Sequence, residues 1–430
     1  MSSEPESPSR ELSRRAFLSR SGKAALATGV GGSLLAACGS SSSSKSGVSG
    51  AGSGSKPTIQ WWDYLIEPAR QPGMRAMIAD IESNVGVKIQ RRVFQYGQLN
   101  PAVLQAAISG NLPDVLITDN TLVRALWDQK IISDLTAYVN KWGQSGNYVQ
   151  SSWKAGDING TIISIPNNAN CLSVWYDAKA LDKAGIKPPK TWADLAAAAK
   201  ELTTPTRKGL AMSAVKSEEG VFQYLPFLWQ SGGDLPTFSQ TATTSLSYLA
   251  SFIKNGSMSS DVLGWTQQDA NTAFAAGRAA MQINGPWQLP TLQQTAKGID
   301  YNVALLPEDK TAASCLGGEH WTICATSKHK DECWAIIERS QERSVLIAFL
   351  DGLGLLPART DLADVGNWAH NPIYQVFLKQ LPTARPRSYP KYPTASAAIS
   401  QAEQAALTGS QSPAAAVAAA APTVMSAVKS

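Results

Sequence analysis

From residue 57 onward the sequence alternates short β-prone runs with segments of helical periodicity, and this alternation limits the fold more than any other feature. Residues 57–62 and 114–118 are β-prone, and apolar side chains in 74–81 recur at helical spacing. Residues 172–177 and 279–284 are further strand-like runs. Strands separated by helices favour βαβ units. The pattern predicts an α/β fold with mainly parallel sheets, and a chain of 430 residues predicts two domains or lobes.

The N-terminal residues carry the features of an export signal and a tether. An arginine pair at 14–15 precedes an apolar stretch, 24–37, that is shorter than the roughly 20 apolar residues a bilayer span needs. This arrangement resembles a twin-arginine signal peptide, residues 1–37, joined to a lipoprotein lipobox in which Cys38 is acylated. The alternative is an N-terminal membrane anchor that is retained. Residues 38–56 are rich in Gly and Ser and predict a flexible linker.

Composition and motifs exclude several function classes. The formal net charge is +5, part of it in the signal, and no run of Lys or Arg gathers on one predicted face, so no nucleic-acid partner is expected. The nucleophile-elbow, P-loop, dinucleotide and zinc-protease motifs are absent from the sequence. The Cys and His residues between 315 and 333 match no standard zinc spacing, so neither a metal nor a cofactor is expected. Four cysteines besides Cys38 allow up to two disulfides.

Four segments resemble, in order and spacing, the solute-binding proteins of bacterial ABC importers, in the carbohydrate-binding group of maltose-binding-protein-like lipoproteins. They are PDVLITDN from Pro113, YDAKALDKAGIKPPKTWADL from Tyr176, FAAGRAAMQINGPW from Phe274 and GGEHWTICATSKHKDECWAII from Gly317. The resemblance implies a two-lobed periplasmic-binding-protein-like (type II) α/β fold with the ligand cleft between the lobes. Lobe 1 is predicted at 57–166 plus 285–326, and lobe 2 at 167–284 plus 327–430.

The same resemblance implies a binding function rather than catalysis. We expect a monomer, lipid-anchored outside the cytoplasm, that captures a sugar or oligosaccharide by lobe closure and delivers it to the transmembrane subunits of an ABC permease. A glycerophosphodiester ligand is one alternative, for which Arg70, Arg124 or Arg359 could supply the cation. A surface glycoside hydrolase is another, and it would need two carboxylates, such as Asp63 and Asp119, about 5–10 Å apart.

Sugar recognition guides the choice of candidate residues. Sugar hydroxyls need polar partners, and the C–H faces of sugar rings pack well against flat aromatic side chains. Candidates that follow predicted strands, flank glycines or lie on crossing segments are Trp62, Asp63, Asp119, Asn120, Asn168, Trp229, Trp287, Gly318, His320, Trp321 and Tyr392. Trp287 is the strongest, because the resemblance implies that it stacks on sugar. The alternative roles are core packing for the tryptophans, a helix N-cap at Asp119 and a turn at Gly318.

Overall fold

The computed structural model describes residues 56–429, in which two larger β-sheets are flanked by helices. The predicted signal peptide, Cys38 and the linker up to residue 55 lie outside the described residues. The strands are β1 (Thr58–Asp63), β2 (Lys88–Val93), β3 (Val115–Asp119), β4 (Asp157–Ile158), β5 (Thr161–Ile162), β6 (Ile165–Pro166), β7 (Ser173–Asp177), β8 (Lys208–Ala211), β9 (Ala279–Asn284), β10 (Tyr301–Ala304), β11 (Ser314–Cys315), β12 (Glu319–Ile323) and β13 (Ala384–Arg385). The helices are α1 (Gln71–Asn84), α2 (Tyr96–Ser109), α3 (Val123–Asp128), α4 (Thr136–Trp142), α5 (Gln150–Trp153), α6 (Ala178–Ala184), α7 (Trp192–Glu201), α8 (Glu218–Gln230), α9 (Phe238–Lys254), α10 (Gln267–Ala275), α11 (Leu289–Thr295), α12 (Lys330–Ser340), α13 (Arg343–Leu353), α14 (Pro372–Gln380), α15 (Tyr392–Leu407) and α16 (Pro413–Lys429).

The first sheet has the strand order β2-β1-β3-β12-β6. β1 is parallel to β2 and β3, as the βαβ rhythm predicts, whereas β12 runs antiparallel to β3 and β6. β12 enters this sheet only after the chain has built most of the second sheet. No short crossover helix joins β12 to β3, so nothing forces a parallel pairing.

The second sheet has the order β10-β7-β9-β8. β8 is parallel to β9, while β7 is antiparallel to both β9 and β10. The prediction of mainly parallel sheets is therefore corrected to two mixed sheets. Helical periodicity between strands identifies helices, but it does not fix the direction in which a returning strand joins the sheet.

The packing of helices and strands around the two sheets does not follow the predicted lobe limits. α12 and α13 pack with α1 in the core of the first sheet, although 327–430 is predicted in lobe 2. β10 pairs with β7 of the second sheet, although 285–326 is predicted in lobe 1. α15 and α16 pack on α8 and α9 beside the second sheet. The lobe limits stay a prediction, and the packing favours a first lobe that includes 330–353.

The four cysteines of the described chain are buried free thiols: Cys171, Cys315, Cys324 and Cys333. Burial raises the pKa of each thiol well above its usual value. Within residues 56–429, each helix is too short or too polar to traverse a lipid bilayer.

Candidate functional site

A cleft opens where strands of both sheets end. It adjoins the carboxyl ends of β1, β3 and β9, the first residue of β12, and the first turns of α8 and α10. Its volume is about 820 Å³, open solvent included. The wall is formed by Tyr64, Ile66, Glu67, Arg70, Gln95, Tyr96, Asp119, Asn170, Glu219, Phe222, Thr266, Gln267, Gln268, Trp287, Gln288, Gly317, Gly318, Glu319 and Leu355.

Two aromatic pairs face the cleft. Trp287 is half-buried, and its ring centroid lies 6.2 Å from that of Phe222 on α8. A Cβ at Gly285 would come within 1.9 Å of the Trp287 ring, so glycine is required for the indole to lie over the backbone at the cleft. Tyr64 and Tyr96 meet edge to face at 4.9 Å on the side of the first sheet. These rings supply the flat apolar surfaces that a sugar ring packs against.

Glu319, the first residue of β12, is held in the wall by two side-chain donors. Its Oε1 accepts a hydrogen bond from the Tyr64 hydroxyl (2.9 Å), and its Oε2 accepts one from Nδ2 of Asn168. Burial raises the pKa of Glu319, and the Arg70 charge acts in the opposite direction. Arg70 donates from Nη1 to Glu67 (2.8 Å), yet its Nε has no hydrogen-bond partner within the described chain. Arg70 is only 4% exposed and lines the cleft, so this buried unpaired donor is one that a ligand acceptor would satisfy.

Glu219 lies opposite, in the first turn of α8. Its Oε2 accepts a hydrogen bond from the backbone N–H of Gln267 (2.8 Å), which joins the starts of α8 and α10. Burial raises the pKa of Glu219, and the charges of Glu67 and Asp269 raise it further. Glu67, which follows β1, and Glu219, at the start of α8, thus place two carboxylates in the wall of one cleft.

Arg387 forms a second polar cluster next to the cleft. Its side chain is fully buried, and the guanidinium bonds to Glu218 and lies 3.6 Å from Oδ1 of Asp119. It also donates to Oδ1 of Asn120 at 3.3 Å. The Tyr392 hydroxyl donates to Glu218 at 2.8 Å. Arg387 thus ties the end of β3 to the start of α8.

A further cavity of about 1000 Å³, open solvent included, lies beside this cluster. Tyr64, Tyr96 and Asp119 line both this cavity and the first. The Tyr96 hydroxyl donates to Asp119 at 3.0 Å. These three side chains therefore form a wall that the two cavities share.

Some sequence-predicted residues lie in or directly behind the wall. Asp119, Trp287 and Gly318 line the first cavity, and Tyr392 lines the second. Gly318 has φ +148°, and a Cβ there would come within 2.4 Å of the Asn168 carbonyl oxygen. Behind this wall, Asn168 supports Glu319. Asn120 donates its backbone N–H to Gly318 (3.1 Å) and accepts from Arg387.

The structure corrects the prediction for three tryptophans, which are buried in the core. Trp62 packs against α2, and the Arg92 guanidinium lies 4.9 Å from its ring centroid. The ring centroid of Trp321 lies 4.7 Å from that of Trp61, with the two rings tilted by 56°. Trp229 is buried on α8 and donates from Nε1 to Asp234 (3.0 Å). Both faces of the first sheet are covered, so the alternation of Trp61 and Trp62 places each ring in a core layer.

Asp63 and His320 are also corrected, because internal partners hold both of them. Asp63 is fully buried and accepts from Nε of Arg91 at 2.6 Å. Nδ1 of His320 lies 2.8 Å from the Ser164 hydroxyl, and burial lowers the pKa of His320 to about 4, so the imidazole is neutral at pH 7. Neither residue lines the cleft.

Several wall residues carry no distinctive sequence signal. Glu67 and Arg70 flank the first turn before α1, and Glu219 belongs to an acidic pair that reads as an ordinary helix start. Phe222 follows Glu219 by three residues on α8 and reads as an apolar core position. Only the assembled fold brings these residues together with Trp287.

Comparison with known proteins gives consistent results. The family described as "Bacterial extracellular solute-binding protein" matches residues 76–376. The multiple sugar-binding protein of Streptococcus mutans is 23% identical over 70% of this chain and 73% of its own length.

Solved structures share the fold. An ABC transporter solute-binding protein of Thermotoga lettingae bound to α-D-tagatose has a TM-score of 0.81 and 24% identity, and the match covers 87% of this chain and 100% of that one. UgpB of Mycobacterium tuberculosis in complex with glycerophosphocholine has a TM-score of 0.77 and 19% identity, and the match covers 87% and 99% of the two chains. The fold is therefore the two-lobed α/β fold of periplasmic solute-binding proteins, with the cleft between its two sheets.

Proposed function

The chain belongs to the bacterial extracellular solute-binding proteins, and on this premise we propose that it captures a carbohydrate in the cleft and delivers it to an ABC permease. The observation that carries the proposal is the lining of the cleft. Trp287, Phe222, Tyr64 and Tyr96 supply ring faces beside carboxylate and amide acceptors. Sugar rings and their hydroxyls need this combination.

Trp287 is the residue we propose to stack on a sugar ring. Its indole is half-buried, so a sugar ring laid on it would remove apolar surface from water. We propose that Arg70, Glu319 and the glutamines at 267, 268 and 288 bond sugar hydroxyls, because all of them line the cleft. A ligand that touches both sheets stabilises the closed arrangement over an open one.

A thermal-shift screen of mono- and oligosaccharides tests the proposal. A bound ligand raises the free energy of unfolding by mass action, so a ligand at 100 times its Kd stabilises by about 2.7 kcal/mol. We expect a concentration-dependent rise in Tm with at least one sugar and unchanged sugar on recovery. Turnover of the sugar would instead point to a hydrolase. Asp63 does not line the cleft, so Asp63 and Asp119 do not supply a hydrolase carboxylate pair.

A glycerophosphodiester remains a second candidate ligand. UgpB, which shares this fold, is bound to glycerophosphocholine, and Arg70 in this chain has an unpartnered Nε at the cleft. A guanidinium is a good phosphate partner. Glycerophosphodiesters therefore belong in the same screen, where a rise in Tm with these compounds alone would replace the sugar assignment.

We also propose that the protein is exported by a twin-arginine signal and anchored through an acyl chain on Cys38. The order of arginine pair, apolar stretch and Leu34–Cys38 supports this proposal. In the native host, Cys38→Ala should move the protein from the membrane fraction to a soluble extracytoplasmic fraction. Membrane retention of this variant would instead favour an uncleaved anchor.

A further inference from the structure

We propose that the cleft recognises an ammonium group on its ligand, bound by Glu219 and Gln288 beside the Phe222–Trp287 aromatic pair. This inference rests on the proposed function and narrows its substrate class. It points to an aminated sugar or to a glycerophosphodiester with a cationic head group, rather than to a neutral sugar or a purely anionic ester.

The charge balance of the cleft is the first observation. Four carboxylates line it, at Glu67, Asp119, Glu219 and Glu319, against the single guanidinium of Arg70. Asp119 is compensated from behind by Arg387. Arg70 is bonded to Glu67, and Glu319 is held by the neutral donors Tyr64 and Asn168. Within the described chain, Glu219 has neither a cationic partner nor a side-chain donor. A positive ligand group balances this excess, whereas an anion adds to it.

Unused acceptors are the second observation. Oε2 of Glu219 accepts from Gln267, while within residues 56–429 its Oε1 has no hydrogen-bond partner. Oε1 of Gln288, which is 1% exposed and lines the same cleft, has no partner either. A buried acceptor without a partner is unfavourable and is satisfied by a donor from outside the fold. An ammonium group offers up to three donors and no acceptor, so it suits a site of free acceptors.

The aromatic rings are the third observation. Phe222 lies three residues after Glu219 on α8, so both side chains project from the same face of the helix. The Phe222 ring is paired with Trp287 at 6.2 Å. Aromatic faces attract cations, and the attraction strengthens when water is excluded. The carboxylate and the rings therefore favour the same kind of ligand group.

Matched ligand pairs test this inference by titration calorimetry. The first member of each pair carries a primary ammonium group that the second lacks: glucosamine and glucose, the chitosan disaccharide and cellobiose, glycerophosphoethanolamine and glycerophosphoglycerol. We expect the cationic member of the binding pair to bind about tenfold more tightly at low salt, and the preference to shrink as salt rises. The sugar and phosphodiester pairs identify which source of ammonium the protein uses.

Glu219→Gln is the diagnostic variant, because the amide oxygen still accepts from the Gln267 backbone. We expect this variant to lose about tenfold in affinity for the ligand that carries the ammonium group. Its affinity for the matched ligand without that group should change less than about twofold. Glu201→Gln removes the same charge from an exposed position at the end of α7 and should change neither affinity.

Equal or tighter binding of the partner ligand that lacks the ammonium group overturns the ammonium inference and leaves the carbohydrate proposal standing. Loss of both affinities in Glu219→Gln also overturns it, since the residue would then act by shaping the cleft. If these pairs and the sugar screen all give no binding, the proposed function itself fails.

Discussion

Glu218 and Glu219 are consecutive residues in the first turn of α8, yet their electrostatic surroundings differ. Glu218 bonds to the fully buried Arg387 and accepts from Tyr392 and Ser396. Glu219 has one backbone donor, and among the described residues no cation pairs with it. The first carboxylate is satisfied inside the protein, while the second faces the Glu67 side of the cleft.

The contrast separates a structural role from a recognition role. A buried ion pair holds two parts of the chain together, and removing one partner leaves an uncompensated charge. A carboxylate without a cation in a cleft is instead a site where ligand charge can be selected. Changes around Glu218 should therefore alter stability, and changes around Glu219 should alter affinity.

The largest effect is expected for Arg387→Met. This substitution leaves Glu218 and Asp119 buried without their cation, so we expect the free energy of unfolding to fall by about 3–5 kcal/mol. Urea unfolding followed by Trp fluorescence measures it. Adding Glu218→Gln should recover part of the loss, and Arg385→Met, at a half-buried neighbour, should cost under about 1 kcal/mol. If Arg387→Met leaves the urea midpoint unchanged, the Glu218–Arg387 ion pair does not stabilise the fold and the structural role assigned to Glu218 is wrong.

Trp287→Ala comes next and acts on affinity. Loss of the ring should weaken ligand binding by about 2 kcal/mol, or roughly thirtyfold, with a loss of only about 1 kcal/mol in unfolding free energy. Titration calorimetry and thermal melts measure the two effects. Trp127→Ala is the matched control, because Trp127 is half-buried on α3 outside the cleft. If the two variants bind equally well, Trp287 is a packing residue.

A pH titration should give a smaller effect. Burial and the charge of Glu67 raise the pKa of Glu219, so lowering the pH from 7 neutralises it earlier than an ordinary carboxyl. Affinity for an ammonium ligand should fall as the pH drops through this raised pKa, by no more than the roughly tenfold loss expected for Glu219→Gln. The partner ligand that lacks the ammonium group controls for pH effects elsewhere in the cleft. A pH dependence that persists in Glu219→Gln would assign the effect to groups other than Glu219.

The smallest effect sets the baseline for an exposed ion pair. Arg124 and Asp128 form a pair of 3.0 Å on α3, with side chains 41% and 47% exposed. Asp128→Asn should change the free energy of unfolding by only about 0.3–0.5 kcal/mol, and the change should vanish at high salt. A loss as large as that of Arg387→Met would show that burial does not decide the strength of these pairs.

Local signals in the sequence predict much of the secondary structure. The Asn159–Gly160 pair predicts a hairpin, and both residues have positive φ, 53° and 89°, between β4 and β5. Thr191 is predicted as an N-cap, and the structure confirms it with a capping box to Asp194. These features depend on a few neighbouring residues, which is why the sequence suffices.

The candidate site is only partly predictable, because it depends on which surfaces other elements cover. Trp62 follows a strand-end pattern, yet α2 covers it. Asp63 looks available for ligand until the fold brings Arg91 to it from the neighbouring strand. Trp287 could be identified because a strand end and a glycine adjoin it in sequence. Glu219 could not be identified from the sequence. Its role in the cleft depends on Glu67, which is distant in sequence and is brought to the same cleft by the fold.

The four buried thiols have a consequence for the lifetime of the protein. While the chain is folded, burial and raised pKa values keep the thiols of Cys171, Cys315, Cys324 and Cys333 in the unreactive protonated form. In the unfolded chain the thiols are exposed, and in an oxidising environment they cross-link or oxidise, after which the modified chain no longer refolds. Unfolding is then irreversible, so the unfolding rate would determine the lifetime of the folded protein.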